Sequence, residues 1–90
     1  MKVVINDVAL EDIEAIRAYL AVHYPYILFS VRRRIQIALA RIERFPEAAP
    51  LVVGRAGVRV ISLVRYPYKI FYQIHDNTIE IIHITHASRQ

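Results

Sequence analysis

Four histidines, eight carboxylates and twelve lysines and arginines are the side chains here that can do chemistry, and there is no cysteine. The lack of a thiol excludes disulfides, thiolate zinc sites and cysteine nucleophiles. It fits a reducing cytoplasm. His75, His83 and His86 crowd the last stretch of the chain. An imidazole titrates near neutral pH, so His86 can serve as a general acid or base, or it can pack against backbone polar groups. His83 and His86 are three apart. On a strand that spacing sends them to opposite faces, which is wrong for a shared metal, so no metal or other cofactor is expected.

The cations offer binding chemistry. Arg59 follows Gly57 at the start of a strand-like run. It can hold a phosphate or a carboxylate of a partner, or pair with Glu11 or Glu14 in an exposed ion pair worth little. Arg65 and Lys69 flank Tyr66-Pro67-Tyr68. They read as a partner-facing basic pair with a tyrosine platform, or as a solvated hairpin tip. Arg32, Arg33 and Arg34 are consecutive. Consecutive helical residues spread over about 200° of arc, so they read as a solvated face, with contact to a partner left open. Leu63 and Phe71, with Ile61 and Tyr72, either line a groove for a partner or fill the core.

The formal net charge is +4, and it is unevenly spread. Asp7, Glu11, Asp12 and Glu14 make the start acidic, while Arg17, Arg32, Arg33, Arg34, Arg41 and Arg44 face only Glu43 in the next stretch. A basic middle implies an acidic partner, either nucleic acid or an acidic protein segment.

These side chains need elements to hold them. Lys2 to Ile5 form a β-branched run that reads as a strand. Asn6 or Asp7 then offers an N-cap, and Leu10, Ile13, Ile16 and Leu20 repeat at helical spacing. The helix ends near His23–Tyr24, before Pro25. Pro25 opens a second helix. Leu28, Val31, Ile35, Ala38, Leu39, Ile42 and Phe45 form its stripe, and Pro46 stops it. Pro46 to Gly57 is a long loop. Val58 to Arg65, Tyr68 to His75 and Thr78 to Thr85 read as strands joined by two-residue turns at Tyr66-Pro67 and Asp76-Asn77. Alternation in the last strand breaks at Ile81-Ile82, the mark of a bulge.

The expected fold class is therefore α+β. A short N-terminal strand leads into an antiparallel helical hairpin and then a three-stranded antiparallel meander, in the order β-α-α-β-β-β. Residues 1–90 form a single domain, because neither half can bury its apolar face alone. The hydrophobic fraction of 56% excludes intrinsic disorder. The N-terminus has no signal-peptide apolar stretch, and the uncharged run Ala18 to Val31 is too short to span a membrane. The chain reads as cytoplasmic, with no membrane partner.

At this point the chain resembles a known family, the RelE/ParE toxins of type II toxin–antitoxin modules. The resemblance rests on Val58-Arg59, on Arg65-Tyr66-Pro67-Tyr68-Lys69-Ile70-Phe71-Tyr72, on Ile81 to Arg89 with its His86-Ala87-Ser88-Arg89 ending, and on Arg44-Phe45-Pro46. It covers essentially the whole chain, and the finer match is to the ParE branch. That resemblance implies a plasmid-stabilisation toxin that blocks growth by binding and inhibiting DNA gyrase. It also implies a cognate antitoxin, acidic and folding as it binds, in a toxin–antitoxin hetero-oligomer. The residues implied in target or antitoxin contact are Arg59, Leu63, Arg65, Tyr68, Lys69, Phe71, His86 and Arg89. The alternative is a RelE-like, ribosome-dependent mRNA endoribonuclease, with Arg65, His86 and Arg89 catalytic. The final residues hold no tyrosine, and the loop before the second strand holds Glu47 and Arg55 but no lysine.

Overall fold

A computed structural model of the chain describes residues 1–88. Arg89 lies outside the described residues. A short strand β1 (Lys2–Ile5) leads into helix α1 (Asp7–His23), a 3-10 turn (Pro25–Ile27) and helix α2 (Leu28–Arg44). Strands β2 (Val58–Ser62), β3 (Tyr68–His75) and β4 (Thr78–His86) follow. The sheet order is β1-β4-β3-β2, with β1 parallel to β4 and the other neighbours antiparallel.

Local chemistry explains the boundaries. The Asn6 side chain accepts the Ala9 N–H at 2.9 Å and so caps α1. Tyr24 closes α1 by donating its N–H to Leu20, and Pro25 follows. Pro25 opens the 3-10 turn and not α2 itself, which corrects the expected helix start. The Phe45 N–H to Arg41 carbonyl bond ends α2, and Pro46 prevents another turn.

The helices cover one face of the sheet. Val31, Ile35, Ala38 and Ile42 of α2 and Ala9 and Leu20 of α1 pack on Leu63, Tyr68, Ile70, Tyr72, Ile79, Ile81 and Ile84. Leu10, expected on the buried stripe, is half exposed, and the smaller Ala9 takes the place against the sheet. Asp76 and Asn77 have φ of 51° and 57°, the paired left-handed turn that a two-residue hairpin requires. The β2–β3 join is longer than expected. Strand β2 stops at Ser62, and residues 63–67 form the connection. Arg65 sits there at φ 77°, which breaks the ladder before the Tyr66-Pro67 pair is reached. The register between β3 and β4 shifts at Phe71/Tyr72, where His83 and Ile81 are the partners and Ile82 is the extra residue. No helix is long and apolar enough to cross a membrane among the described residues.

Candidate functional site

The face of the sheet away from the helices carries the chemistry. Val60, Phe71 and His83 are cross-strand neighbours there, and so are Ser62, Lys69 and Thr85. Arg55 reaches over this face, its guanidinium carbon 5.8 Å from the Phe71 ring centroid. Val52, Arg55, Val60, Lys69, Phe71, His83 and Thr85 line one half-open depression. A basic rim over an aromatic floor suits an anionic ligand with a flat or apolar part.

The loop that delivers Arg55 is fastened from below. Arg59 lies on the helix side of β2, opposite Tyr72. It donates to the carbonyls of Glu47 at 3.0 Å and Ala49 at 2.7 Å. The Tyr72 hydroxyl donates to the Pro46 carbonyl at 2.7 Å. Burial raises the Tyr72 phenol above the ordinary tyrosine range, with Arg59 pulling the other way. Beyond these anchors the Val52 N–H meets the Val58 carbonyl at 2.7 Å and the Val60 N–H meets the Pro50 carbonyl at 3.1 Å. Gly54 and Gly57 turn the chain at φ 82° and 74°, so Arg55 stands at a hairpin-like tip.

His83 is fixed from the far edge. Strand β1 stops pairing with β4 at Ile81, and α1 takes over along that edge. The Asp12 carboxylate accepts the Ile84 N–H at 2.9 Å and contacts His83 Nδ1 at 2.6 Å. An ionised carboxylate only accepts, so Nδ1 carries the hydrogen and Nε2 keeps its lone pair when the ring is neutral. A histidine so held has the tautomer of a general base.

The other titratable cluster is structural. Glu80 accepts from Gln73 at 3.1 Å and Asn6 at 3.2 Å and contacts His75 at 2.7 Å. These bonds, the His75 contact first, hold Glu80 below the ordinary carboxylate range.

The residues expected in contact with a partner therefore separate. Lys69 and Phe71 share the open face. Leu63 and Tyr68, also expected in partner contact, are both 6% exposed and lie in the core, not on the open face. The Leu63 N–H bonds the Tyr68 carbonyl, which turns both side chains toward the helices. Arg59 makes no ion pair with Glu11 or Glu14. Its guanidinium is spent on the loop carbonyls, and Glu14 pairs with Arg17. Arg65 lines a depression with Arg33 and Arg34 of α2, and not with Lys69. His86 lies on the Tyr68 side, its ring 5.5 Å from that ring and its Nδ1 in contact with the Ser88 hydroxyl at 2.8 Å. Arg65 and His86 line different depressions, and Arg89, the third residue of the expected catalytic set, lies outside the described residues. The Asp12–His83 pair and the Arg55 stack were not foreseen. Asp12 and His83 are distant in sequence, and only the position of α1 along β4 joins them.

Comparison with known proteins decides the family. A family model described as the ParE toxin of the type II toxin–antitoxin system, parDE, matches residues 3–90. The chain belongs to the ParE toxin family. Toxin RelE2 of Caulobacter vibrioides is 32% identical over 81 residues, covering 90% of this chain and 89% of that protein. Among solved structures, the chromosomal ParDE system from P. aeruginosa is similar with a TM-score of 0.82 and 20% identity, over 98% of this chain and 97% of that one. The isolated E. coli RelE toxin is similar with a TM-score of 0.70 and 19% identity, over 99% of this chain and 86% of that one. This ParE-family chain thus has the RelE/ParE fold.

Proposed function

We propose that this ParE-family toxin blocks growth by binding and inhibiting DNA gyrase, and that a cognate antitoxin neutralises it. The observation that carries this reading is the open face itself. Arg55 stacks over Phe71, and both share a half-open depression of about 400 Å³ with Lys69, a basic and aromatic surface suited to docking. The family match over residues 3–90 and the likeness to a ParDE system support it. An antitoxin segment that is acidic and folds on binding would neutralise these cations and cover Phe71. The test is a gyrase supercoiling assay with ATP. Inhibition that survives moderate salt supports the reading, and indifference to a large excess of protein contradicts it.

A second reading is favoured by the Asp12–His83 pair. With Arg55 and Lys69 on the same face, a His83 held as a base suits phosphodiester cleavage. The Nε2 would take the ribose 2′-OH proton as the 2′-oxygen bonds to phosphorus, the P–O5′ bond breaks and water protonates the leaving 5′-oxygen, while the cations balance the phosphate charge. The C. vibrioides relative carries the RelE name. Cuts in mRNA on translating ribosomes that vanish in His83→Ala would support this reading, and their absence would end it.

A further inference from the structure

The helical hairpin ends in a surface that neither the core nor the open sheet face uses. Helix α1 stops at His23 and α2 starts at Leu28. From Ala18 to Val31 the chain holds no lysine, arginine, aspartate or glutamate. Val22, Tyr26 and Phe29 at this end are 76%, 78% and 77% exposed. The rings beside them touch in series. Tyr19 and His23 have centroids 4.4 Å apart, Tyr19 and Tyr24 6.2 Å, and Tyr24 and Tyr26 6.4 Å edge to face. Large apolar groups gathered on a surface mark a place of contact.

Two further features say what is contacted. The first is the backbone of the turn. Tyr24 donates its N–H to the Leu20 carbonyl at 2.8 Å, Ile27 donates to Tyr24 at 3.1 Å, and Leu28 donates to Pro25. Pro25 has no N–H to satisfy. A turn whose donors are bonded within itself can leave water at little cost. The second is the place of the cations. Arg32 and Arg33 come one turn into α2, about 6–8 Å along the helix from Leu28. Neither has a carboxylate within 4.0 Å among the described residues. A helix bound at a membrane surface buries its apolar part about 5–10 Å into the boundary between head groups and acyl chains. With the hairpin end at that depth, the two arginines reach the level of the lipid phosphates.

We propose that the end of the helical hairpin docks on the surface of an anionic lipid bilayer. Val22, Tyr26 and Phe29 enter the interface, where tyrosine rings are favoured, and Arg32 and Arg33 meet lipid phosphates. The expectation of no membrane partner rests on the lack of a spanning segment, and a hairpin bound at the surface needs none. A nucleic-acid strand stacked on these rings would find no cation between Ala18 and Val31 for its phosphates. A second copy seated on the same end would set the arginines of both chains against each other. The surface is separate from the open sheet face, so the inference does not depend on the proposed target.

The test sediments the purified chain with vesicles of phosphatidylcholine containing about one third phosphatidylglycerol, and with phosphatidylcholine alone, at about 0.15 M salt. The expected result is binding to the mixed vesicles that falls about tenfold or more in Tyr26→Ser/Phe29→Ser and in Arg32→Gln/Arg33→Gln. Lys2→Glu on β1 lowers the net charge as much as the double arginine variant does, and should leave binding nearly unchanged. The substituted side chains are exposed, so an unchanged Tm is expected in each variant. The chain has no tryptophan, so Val22→Trp supplies a single reporter, whose emission should shift to the blue on the mixed vesicles. No binding to the mixed vesicles overturns the proposal. So does binding that Lys2→Glu weakens as much as the arginine variant, with no blue shift, which is charge alone. A concentration-dependent dimer that forms without lipid and is abolished by Tyr26→Ser/Phe29→Ser, with the vesicles unbound, would make a second copy the occupant and overturn it too.

Discussion

Asp12 Oδ2 lies 2.6 Å from His83 Nδ1 and 2.9 Å from the Ile84 nitrogen, so one carboxylate of α1 ties down the edge of β4 where β1 ends. The bond to Ile84 satisfies a backbone group that the sheet leaves without a neighbour strand. Removing the carboxylate orphans that N–H and frees the imidazole. Asp12→Ala is expected to lower stability by about 2 kcal/mol in urea unfolding. His83→Ala keeps the backbone bond and is expected to lower it by about 1 kcal/mol. Equal losses would mean that the backbone bond adds nothing.

Arg59 works through the loop. Arg59→Ala leaves the carbonyls of Glu47 and Ala49 without their donor, although Arg59 itself is not on the open face. Faster hydrogen exchange is expected at the amides of Val52 and Val60, which bond across the loop and β2. The Arg55 stack over Phe71 should loosen with it. Arg59→Lys, with one ammonium for two carbonyls, should recover part of the protection. Unchanged exchange at both amides would show that the loop holds without Arg59.

Tyr72 sets an alkaline limit. Burial raises its phenol pKa in the fold, so the neutral form is favoured there. That contribution is complete below the ordinary tyrosine range and is lost as pH rises through the raised value. The urea midpoint should fall at high pH, and fall less in Tyr72→Phe. The same substitution removes the bond to the Pro46 carbonyl and should lower stability by about 1 kcal/mol at neutral pH.

Glu80 sets an acid limit. Its carboxylate is held below the ordinary range by His75, Gln73 and Asn6, which join β3, β4 and the start of α1. A lowered folded value adds stability that is present above the unfolded pKa and lost as pH falls through the folded one. Between about pH 6 and about pH 3 the wild-type midpoint should drop more steeply than that of Glu80→Gln. Parallel curves would show that Glu80 plays no part.

Local rules were enough for much of the fold. Asn6 as a cap, Pro25 and Pro46 as punctuation, the Asp76-Asn77 turn and the break at Ile81-Ile82 each depend on neighbours in sequence. The site depended on what the sheet brings together. Leu63 reads from sequence as a groove residue with Phe71, and Tyr68 as a platform beside Arg65 and Lys69. The real end of β2 at Ser62 and the bond between Leu63 and Tyr68 send them to the core. Alternation alone placed Arg59 beside Ile61 and Leu63, as the structure does, but gave no hint of the carbonyls that hold its guanidinium. Arg33 and Arg34 seemed dispersed on their own helix. They gather only when the long β2–β3 connection sets Arg65 against α2.

The central claim is that the open face docks on gyrase. The most direct measurement is titration of the purified chain into gyrase supercoiling with ATP, at low and then moderate salt, beside a Phe71→Ser/Lys69→Glu variant. The account predicts inhibition that persists at moderate salt, with cleaved DNA trapped on the enzyme, and a large loss of both in the variant. Supercoiling untouched at a large excess of protein would contradict it, and inhibition seen only at low salt would reduce it to unspecific charge.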